Sequence, residues 1–183
     1  MPDTDYIIST ERLGLRRWQQ SDLDPFAKMN SDEAVMKYFP AILNRNESIA
    51  MIQRIGDHFE KHRFGLYVVE EKKSGSFIGF TGFSIPSFEI FFTPCIEIGW
   101  RYQKEYWGKG FATEAAQACL QYGFNTLGFQ QIFSFTAVLN LPSENLMRRI
   151  GMIKAGEFDH PKIDITNSIC RHVLYRIDKP VTI

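Results

Sequence analysis

The sequence has few cysteines and no excess of either charge. Its three cysteines are an odd number in 183 residues and lack the spacing of metal ligands, so neither a disulfide framework nor a zinc site is expected. They lie in largely apolar segments, which predicts reduced, packed thiols at Cys95, Cys119 and Cys170. Lysine plus arginine and aspartate plus glutamate number 21 each, which leaves no net charge to hold a nucleic acid or a membrane surface.

Long apolar runs and low-complexity segments are also missing. No stretch approaches the roughly 18 uninterrupted apolar residues of a membrane span, and residues 1–5 lack the basic region of a signal peptide. We therefore expect a cytoplasmic protein with neither a membrane nor a nucleic-acid partner. Apolar residues make up 44% of the chain, as in ordinary globular proteins. No repeat divides the sequence, so a single domain over residues 1–183 is predicted.

The hydrophobic pattern predicts helices early in the chain and strands later. Alternation over residues 7–18 predicts one strand, and capping residues predict short helices after Ser21 and Ser31 and a longer one from Asn46 or Ser48. Further along, the apolar period shortens from about 3.6 to about 2. The mixed order predicts an α+β fold with a mixed, largely antiparallel sheet and one βαβ unit. Its later strands are predicted at 66–70, 76–84, 95–102, 131–139, 154–158 and 171–177, and its later helices at about 110–127 and 142–150.

A glycine-rich junction between a strand and a helix is the most informative segment. Residues 106–115 read Tyr-Trp-Gly-Lys-Gly-Phe-Ala-Thr-Glu-Ala. Such a junction aims unpaired backbone N–H groups at one point, where the helix dipole favours a phosphate. For two glycines alone, a tight turn is the simpler interpretation. A Walker A loop is excluded because no Gly-Lys-Ser/Thr occurs, and a Rossmann fingerprint because Thr113 replaces its third glycine.

These residues resemble the GNAT superfamily of acetyl-CoA-dependent N-acetyltransferases, and within it the RimJ/RimL-like branch. The family motif Q/R-x-x-G-x-G/A is matched by residues 105–110 except at Glu105, its first position. Glu-Ile-Gly-Trp at 97–100, the 106–115 segment and Asn-Leu-Pro-Ser at 140–143 stand in the family's order and spacing. The resemblance covers nearly the whole chain and implies a GNAT-like central sheet flanked by helices, whose βαβ unit binds the cofactor.

The resemblance also implies acetyl-CoA as co-substrate, no metal, and a set of contacts. Backbone N–H groups would hold the pyrophosphate at Gly108, Lys109, Gly110, Phe111, Ala112 and Thr113. Two parallel strands would splay apart, and the pantetheine would pair with Ile98 and Trp100 in the gap. Asn140 would contact the amide end, with Ser143 and Asn145 near the thioester or its adjoining arm. Without the resemblance, Asn140 is equally well a helix N-cap and Ser143 a first-turn hydroxyl.

Acetyl transfer to an amine needs a base and a proton donor. Glu97 is a carboxylate in an otherwise apolar strand, on the face opposite Ile98, where burial would raise its pKa and suit it to general-base work. A surface glutamate, or one paired with Arg101, is the alternative. Many GNAT members place a tyrosine seven residues after the Asn140 position as the acid, but here that residue is Met147. Ser143 is the nearest hydroxyl and therefore the candidate acid.

Three other groups of residues have simpler explanations. His58 and His62 are four apart on a predicted helix but lack the His-Glu-x-x-His pattern, which favours a solvated helix face. Asp159 and His160 precede a proline and predict a turn; with Ser143 they could be imagined as a triad, yet no Gly-x-Ser-x-Gly elbow exists. Finally, a phenylalanine-rich loop either borders an acceptor cleft or packs against the early helices, through Phe88, Phe91 and Phe92.

We therefore predict an enzyme that moves the acetyl group of acetyl-CoA to a primary amine by direct attack in a ternary complex, without metal. The acceptor is a protein N-terminus or a small molecule, and a homodimer is left open. No acidic cluster marks a pocket for polycations, and the near-neutral charge argues against a constitutive ribosome partner. The alternative is a non-catalytic acyl-CoA-binding or sensing module, which would keep the glycine loop and lack the proton donor.

Overall fold

The computed structural model describes residues 6–181 and contains one sheet of eight strands in the order β1-β2-β3-β4-β5-β6-β8-β7. Only β5 and β6 are parallel; the other neighbours are antiparallel. This confirms the α+β class with one βαβ unit, β5-α3-β6. The strands are β1 (Ile8–Ser9), β2 (Leu13–Arg16), β3 (Leu66–Glu71), β4 (Ser76–Ser84), β5 (Glu97–Tyr102), β6 (Gln131–Ala137), β7 (Ile153–Asp159) and β8 (Arg171–Asp178). The helices are α1 (Leu23–Asn30), α2 (Arg45–His62), α3 (Phe111–Asn125) and α4 (Leu141–Arg149).

Two sequence-based predictions near the N-terminus are wrong. The single strand predicted over 7–18 is two short strands, β1 and β2, because a tight turn intervenes in which Thr10 N donates to Leu13 O at 2.9 Å. The helix predicted after Ser31 is a run of turns. There Asp32 Oδ1 accepts from Ala34 N at 2.8 Å, a local bond that competes with helix formation. Residues 1–5, considered above for a signal peptide, lie outside the described range.

The longer helices begin and end as their capping residues dictate. In α2 the Asn44 side chain accepts from Glu47 N at 3.0 Å, and the Glu47 carboxylate accepts from Asn44 N at 2.7 Å. The two residues form a capping box with its N-cap at Asn44, two residues before the earlier predicted start at Asn46. The helix ends at Arg63 in the left-handed conformation. None of the helices within residues 6–181 is long and apolar enough to cross a membrane.

Two apolar cores lie on opposite faces of the sheet. The larger core joins α3 and α4 to the sheet and includes the fully buried Leu15, Ile98 and Ile132. The smaller core lies under α1 and includes Phe26 and Phe80. All three cysteines are free thiols; Cys119 and Cys170 are buried, whereas Cys95 is only partly so. The larger core therefore supports the place where β5 and β6 meet, through Ile98 and Ile132, whereas the smaller core packs on β3 and β4.

Candidate active site

The parallel strands β5 and β6 meet at one end and part at the other. Their register consists of the pair Glu97–Phe133. Phe133 N donates to Ile96 O at 2.8 Å, and Ser134 Oγ donates to Ile98 O at 2.9 Å. Since the carbonyls of 96 and 98 both point to β6, the backbone of Trp100 also faces this side, beyond the paired residue. The Ile98 carbonyl is already occupied, so Trp100 offers the first backbone groups facing the open gap.

The glycine loop lies beyond the open end of this gap and leads into α3. Gly108 and Gly110 have φ angles of 73° and 80°, in the left-handed region that favours glycine. A helix beginning at Phe111 leaves the N–H groups of its first turn without intrahelical acceptors. A Cβ built on Gly108 meets nothing within 4 Å. The loop therefore presents unpaired donors to open space at the positive end of a 15-residue helix.

Arg12 braces this loop from the turn between β1 and β2. Its Nη1 donates to Lys109 O at 2.9 Å, its Nε to Glu114 Oε2 at 2.6 Å, and its guanidinium carbon lies 4.6 Å from the Phe111 ring centroid. Thr10 Oγ1 donates to Glu114 Oε1 at 2.6 Å. Partial burial opposes ionisation, but these hydrogen bonds lower the pKa of Glu114. Sequence reasoning missed this brace because it joins residues about a hundred positions apart.

Two further cations border the loop. Lys109 is exposed and its Nζ lies 5.1 Å from the Tyr106 ring centroid. Arg149, from the end of α4, donates to Thr113 Oγ1 at 3.4 Å. The loop is thus positive from its helix dipole and from side chains, while the Glu114 carboxylate in the first turn of α3 is paired with Arg12.

Glu97 lies at the closed end of the gap, on the face opposite Ile98, as predicted. Ser84 Oγ, across the sheet on β4, donates to Glu97 Oε2 at 3.1 Å. Burial of the carboxyl group raises the pKa of Glu97 to about 7, against the opposing effect of the Ser84 bond. The alternative of an ion pair with Arg101 is wrong, because Arg101 Nη1 donates to Asn30 Oδ1 at 2.6 Å. Glu97 can therefore exchange a proton near neutral pH.

The N-terminus of α4 follows the end of β6 and lies beside the open part of the gap. Asn140 is its N-cap: Oδ1 accepts from Ser143 N at 3.4 Å and Nδ2 donates to Thr136 Oγ1 at 2.9 Å. The Trp100 indole Nε1 reaches across from β5 and donates to Ser143 Oγ at 3.3 Å. Asn145 is exposed on the same helix, whereas Met147 is buried in the larger core. The structure thus brings Trp100 and Ser143 together and gives Asn140 a structural role.

The structure does not join the other candidates into a site. His58 has both ring nitrogens occupied, by Phe64 O and Ile85 N. Within residues 6–181, no cluster of three or more histidine, cysteine or acidic side chains could hold a metal ion. Asp159 pairs with Arg171 at 3.3 Å rather than with His160, so no triad forms with Ser143.

The phenylalanine-rich loop before β5 packs on the sheet rather than on the early helices. The Phe92 ring stacks on Phe133 with centroids 5.9 Å apart, and Phe88 contacts Phe135 at 5.8 Å and His160 at 4.8 Å. Phe91 is 72% exposed. Because Phe133 is the register partner of Glu97, this aromatic surface borders the closed end of the gap.

Comparisons with known proteins agree with this geometry. The family model described as Acetyltransferase (GNAT) domain matches residues 12–153. The chain is 33% identical over 153 residues to the uncharacterized N-acetyltransferase YnaD of Bacillus subtilis, covering 82% of this chain and 85% of that protein. The crystal structure of a GNAT-family acetyltransferase from Bacillus anthracis superimposes with a TM-score of 0.78 at 28% identity, over 94% of this chain and 98% of that one.

The same fold recurs in more distant structures. Spermidine N-acetyltransferase from Vibrio cholerae, in complex with CoA and spermine, has a TM-score of 0.74 at 21% identity, covering 93% of this chain and 97% of that one. The family model spans most of the chain, YnaD matches more than four fifths of it, and the Bacillus anthracis structure covers nearly all of it. The chain therefore belongs to the GNAT acetyltransferases, a family of enzymes that use acetyl-CoA as co-substrate.

Proposed function

We propose that this protein is a RimJ/RimL-like N-acetyltransferase that moves the acetyl group of acetyl-CoA to a primary amine, by direct attack in a ternary complex. The observation that carries the proposal is the gap between β5 and β6, which leads from an open loop of backbone donors to a carboxyl group with a pKa of about 7. A gap of this shape suits an extended thioester with a phosphate at one end and a reacting carbonyl at the other.

On the donor side, the pyrophosphate of acetyl-CoA is held by backbone N–H groups rather than by side chains. The left-handed glycines and the unpaired first turn of α3 supply these groups at the positive end of the helix. The residues assigned to this contact are Gly108, Lys109, Gly110, Phe111, Ala112 and Thr113. The pantetheine arm lies along Ile98 and Trp100, chiefly at Trp100 because Ser134 occupies the Ile98 carbonyl. Asn140 and Asn145 border the arm from the α4 side.

On the acceptor side, Glu97 is the general base. A carboxyl group with a pKa of about 7 is substantially ionised at neutral pH and can take a proton from an ammonium group or from a water beside it. The free amine then attacks the thioester carbonyl and the C–S bond breaks. The attacking nitrogen loses a second proton to water as the amide forms, and the thiolate that leaves needs a proton. No metal ion is required for these transfers.

Ser143 is the candidate proton donor to the thiolate. Its Oγ accepts the Trp100 indole N–H at 3.3 Å, so its own O–H remains free to donate, and a donor on the oxygen favours release of that proton. The buried Met147 cannot serve. The proposed acceptor is a protein N-terminus or a small amine, as the sequence suggests. A spermidine acetyltransferase shares the fold, but a fold alone selects no acceptor.

Turnover and binding measured together test the proposal. We expect release of CoA from acetyl-CoA in the presence of members of a panel of primary amines and N-terminal peptides, with no requirement for added metal. A titration of acetyl-CoA without amine gives the affinity independently. Tight binding with no transfer to any amine would instead support the acyl-CoA-binding module, and absence of binding would remove both.

A further inference from the structure

Arg101, on β5, is a buried cation without a carboxylate partner. Its Nη1 donates to the Asn30 side chain at 2.6 Å, and its guanidinium lies 4.1 Å from the Phe39 ring centroid and 5.5 Å from that of Phe80. Within residues 6–181 no acidic side chain forms an ion pair with Arg101, and its Nε is a buried donor without an acceptor. Burial lowers the pKa of Arg101 to about 10, so it remains charged at neutral pH.

A second buried arginine, Arg16, lies on the same line of register partners across the sheet and, unlike Arg101, is paired with carboxylates. Arg16, on β2, lies in register with Val68, Phe80 and Arg101 across four strands. It bonds Asp22 through both terminal nitrogens at 2.8 Å. Its Nε bonds a second carboxylate, on β3, at 2.9 Å. Buried charges are ordinarily paired in this way, and an unsatisfied buried donor calls for an explanation.

The strand face that carries Arg101 also carries Glu97. Residues 97, 99 and 101 point to the same face because side chains alternate along a strand. The middle residue is Gly99, which is partly exposed and where an added Cβ would meet only Glu97 Oε1, at 3.9 Å. Four residues of strand separate the two end residues by about 13 Å between Cα atoms.

We propose that this face is the acceptor groove and that Arg101 binds an anionic group of the acceptor, so that the natural acceptor is an amine bearing a carboxylate at its far end. The inference rests on the proposed function, since Glu97 receives the amine. A planar guanidinium binds a carboxylate through paired hydrogen bonds, which would satisfy the donor that is unpaired here. The half-buried Phe39 ring, in the run of turns between α1 and α2, covers the guanidinium, so binding of the carboxylate requires this ring to move aside.

The test is a matched series of ligands that differ in one group. Straight-chain ω-amino acids of four, six and eight carbons are compared with n-alkylamines of the same lengths, by calorimetric titration into the protein saturated with CoA. No acetyl group is present, so binding is measured without transfer. We expect the carboxylate to improve affinity at least tenfold at one chain length and much less at the others, because the two ends of the groove are fixed. Amino acids that bind no better than alkylamines at every length would overturn the inference.

A substitution at Arg101 tests whether this residue is the source of the affinity gained from the carboxylate. Arg101→Met should abolish the advantage of the carboxylate while leaving the affinities for alkylamines and for CoA unchanged. Lys104→Met removes an exposed cation a few residues away and should keep the advantage; loss of the advantage there, or its survival in Arg101→Met, would overturn the assignment. If Arg101→Met does not fold, the ligand series on the parent protein still decides.

Turnover separates this inference from the proposed function. Equal acetylation of alkylamines and ω-amino acids would support the transferase and overturn the anionic acceptor. Selective binding of one ω-amino acid with no acetylation of any amine would support the groove and overturn the transferase.

Discussion

The two ends of the gap between β5 and β6 differ in the kind of group that would contact a ligand: backbone N–H groups at one end and side chains at the other. The loop end is made of backbone: two left-handed glycines and the first turn of α3, within six consecutive residues. The closed end is made of side chains from separate elements, with Glu97 on β5 bonded to Ser84 on β4. Ser143, on α4, reaches the gap through its bond to Trp100. Backbone donors depend on local conformation and tolerate many side chains. Side-chain chemistry depends on the identity of each residue, so substitutions at the two ends should fail in different ways.

The largest expected effect is at the loop end. Gly110→Asp forces a side chain into a left-handed conformation beside Arg12, 3.4 Å from an added Cβ, and places a negative charge where the pyrophosphate is proposed to lie. We expect no measurable acetyl-CoA binding by titration. Gly75→Asp is the matched control, because it imposes the same strain at φ 67° in a distant turn with open space around it. A folded Gly110→Asp protein with the parent's affinity would contradict the pyrophosphate assignment.

At the closed end, Glu97→Gln should lower kcat with little change in acetyl-CoA affinity. Positioned bases contribute about 10²–10⁴-fold in rate. Because the pKa of Glu97 is raised to about 7, the base form accumulates as pH rises, and the parent's kcat should rise through this range. The variant should lack that inflection, so its deficit should grow through this range and should shrink only at higher pH, where free amine accumulates without a base. Glu105→Gln, which removes an exposed carboxylate, should keep the parent profile.

Ser143→Ala should give a smaller defect with the opposite pH trend. Loss of the hydroxyl removes the proposed proton donor but leaves the Asn140 cap, which uses only the Ser143 backbone. The rate deficit should persist or grow at high pH, where solvent protons are scarce, and Ser143→Thr should restore much of the activity. Turnover within about threefold of the parent across the range, a difference under about 0.7 kcal/mol, would show that water or backbone delivers the proton.

Arg12 is expected to matter for the loop without touching the reacting atoms. Arg12→Gln removes the bonds to the Lys109 carbonyl and to Glu114 and should weaken acetyl-CoA binding by about tenfold, or ~1.4 kcal/mol, with kcat at saturation unchanged. Arg12→Lys should not rescue it, because an ammonium group cannot reproduce a forked contact. A fall in kcat at saturating acetyl-CoA would show that the brace also shapes the closed end.

The smallest effect is expected at Lys109. Its side chain is exposed and rests against Tyr106, so Lys109→Ala should weaken acetyl-CoA binding by about 1 kcal/mol or less, as for other exposed ionic contacts. The loss should diminish further with added salt. A loss as large as that in Gly110→Asp would mean that the loop end also depends on a side chain.

The same contrast explains what the sequence could predict. The loop and α3 lie in one continuous segment, so glycine spacing and helical periodicity located them. The helix predicted after Ser31 does not form, because the Asp32 carboxylate accepts from the backbone N–H groups of Ala34 and Val35 and holds the chain in turns. The contacts of Arg12 with Glu114 and of Arg101 with Asn30 join residues 102 and 71 positions apart. No local pattern encodes such pairs, because only the packing of the sheet brings them together.

The single register pair between β5 and β6 has a consequence for cooperativity. On one side of it lies the antiparallel sheet β1 to β5, and on the other the three strands β6, β8 and β7. The two parts share the larger core, but across the gap their ladder is interrupted after Ser134 and Ile98. An extended ligand that pairs with both walls would complete that ladder. Because such a ligand binds only the folded state, it would raise stability according to its concentration and make two sheet segments open and close as one unit.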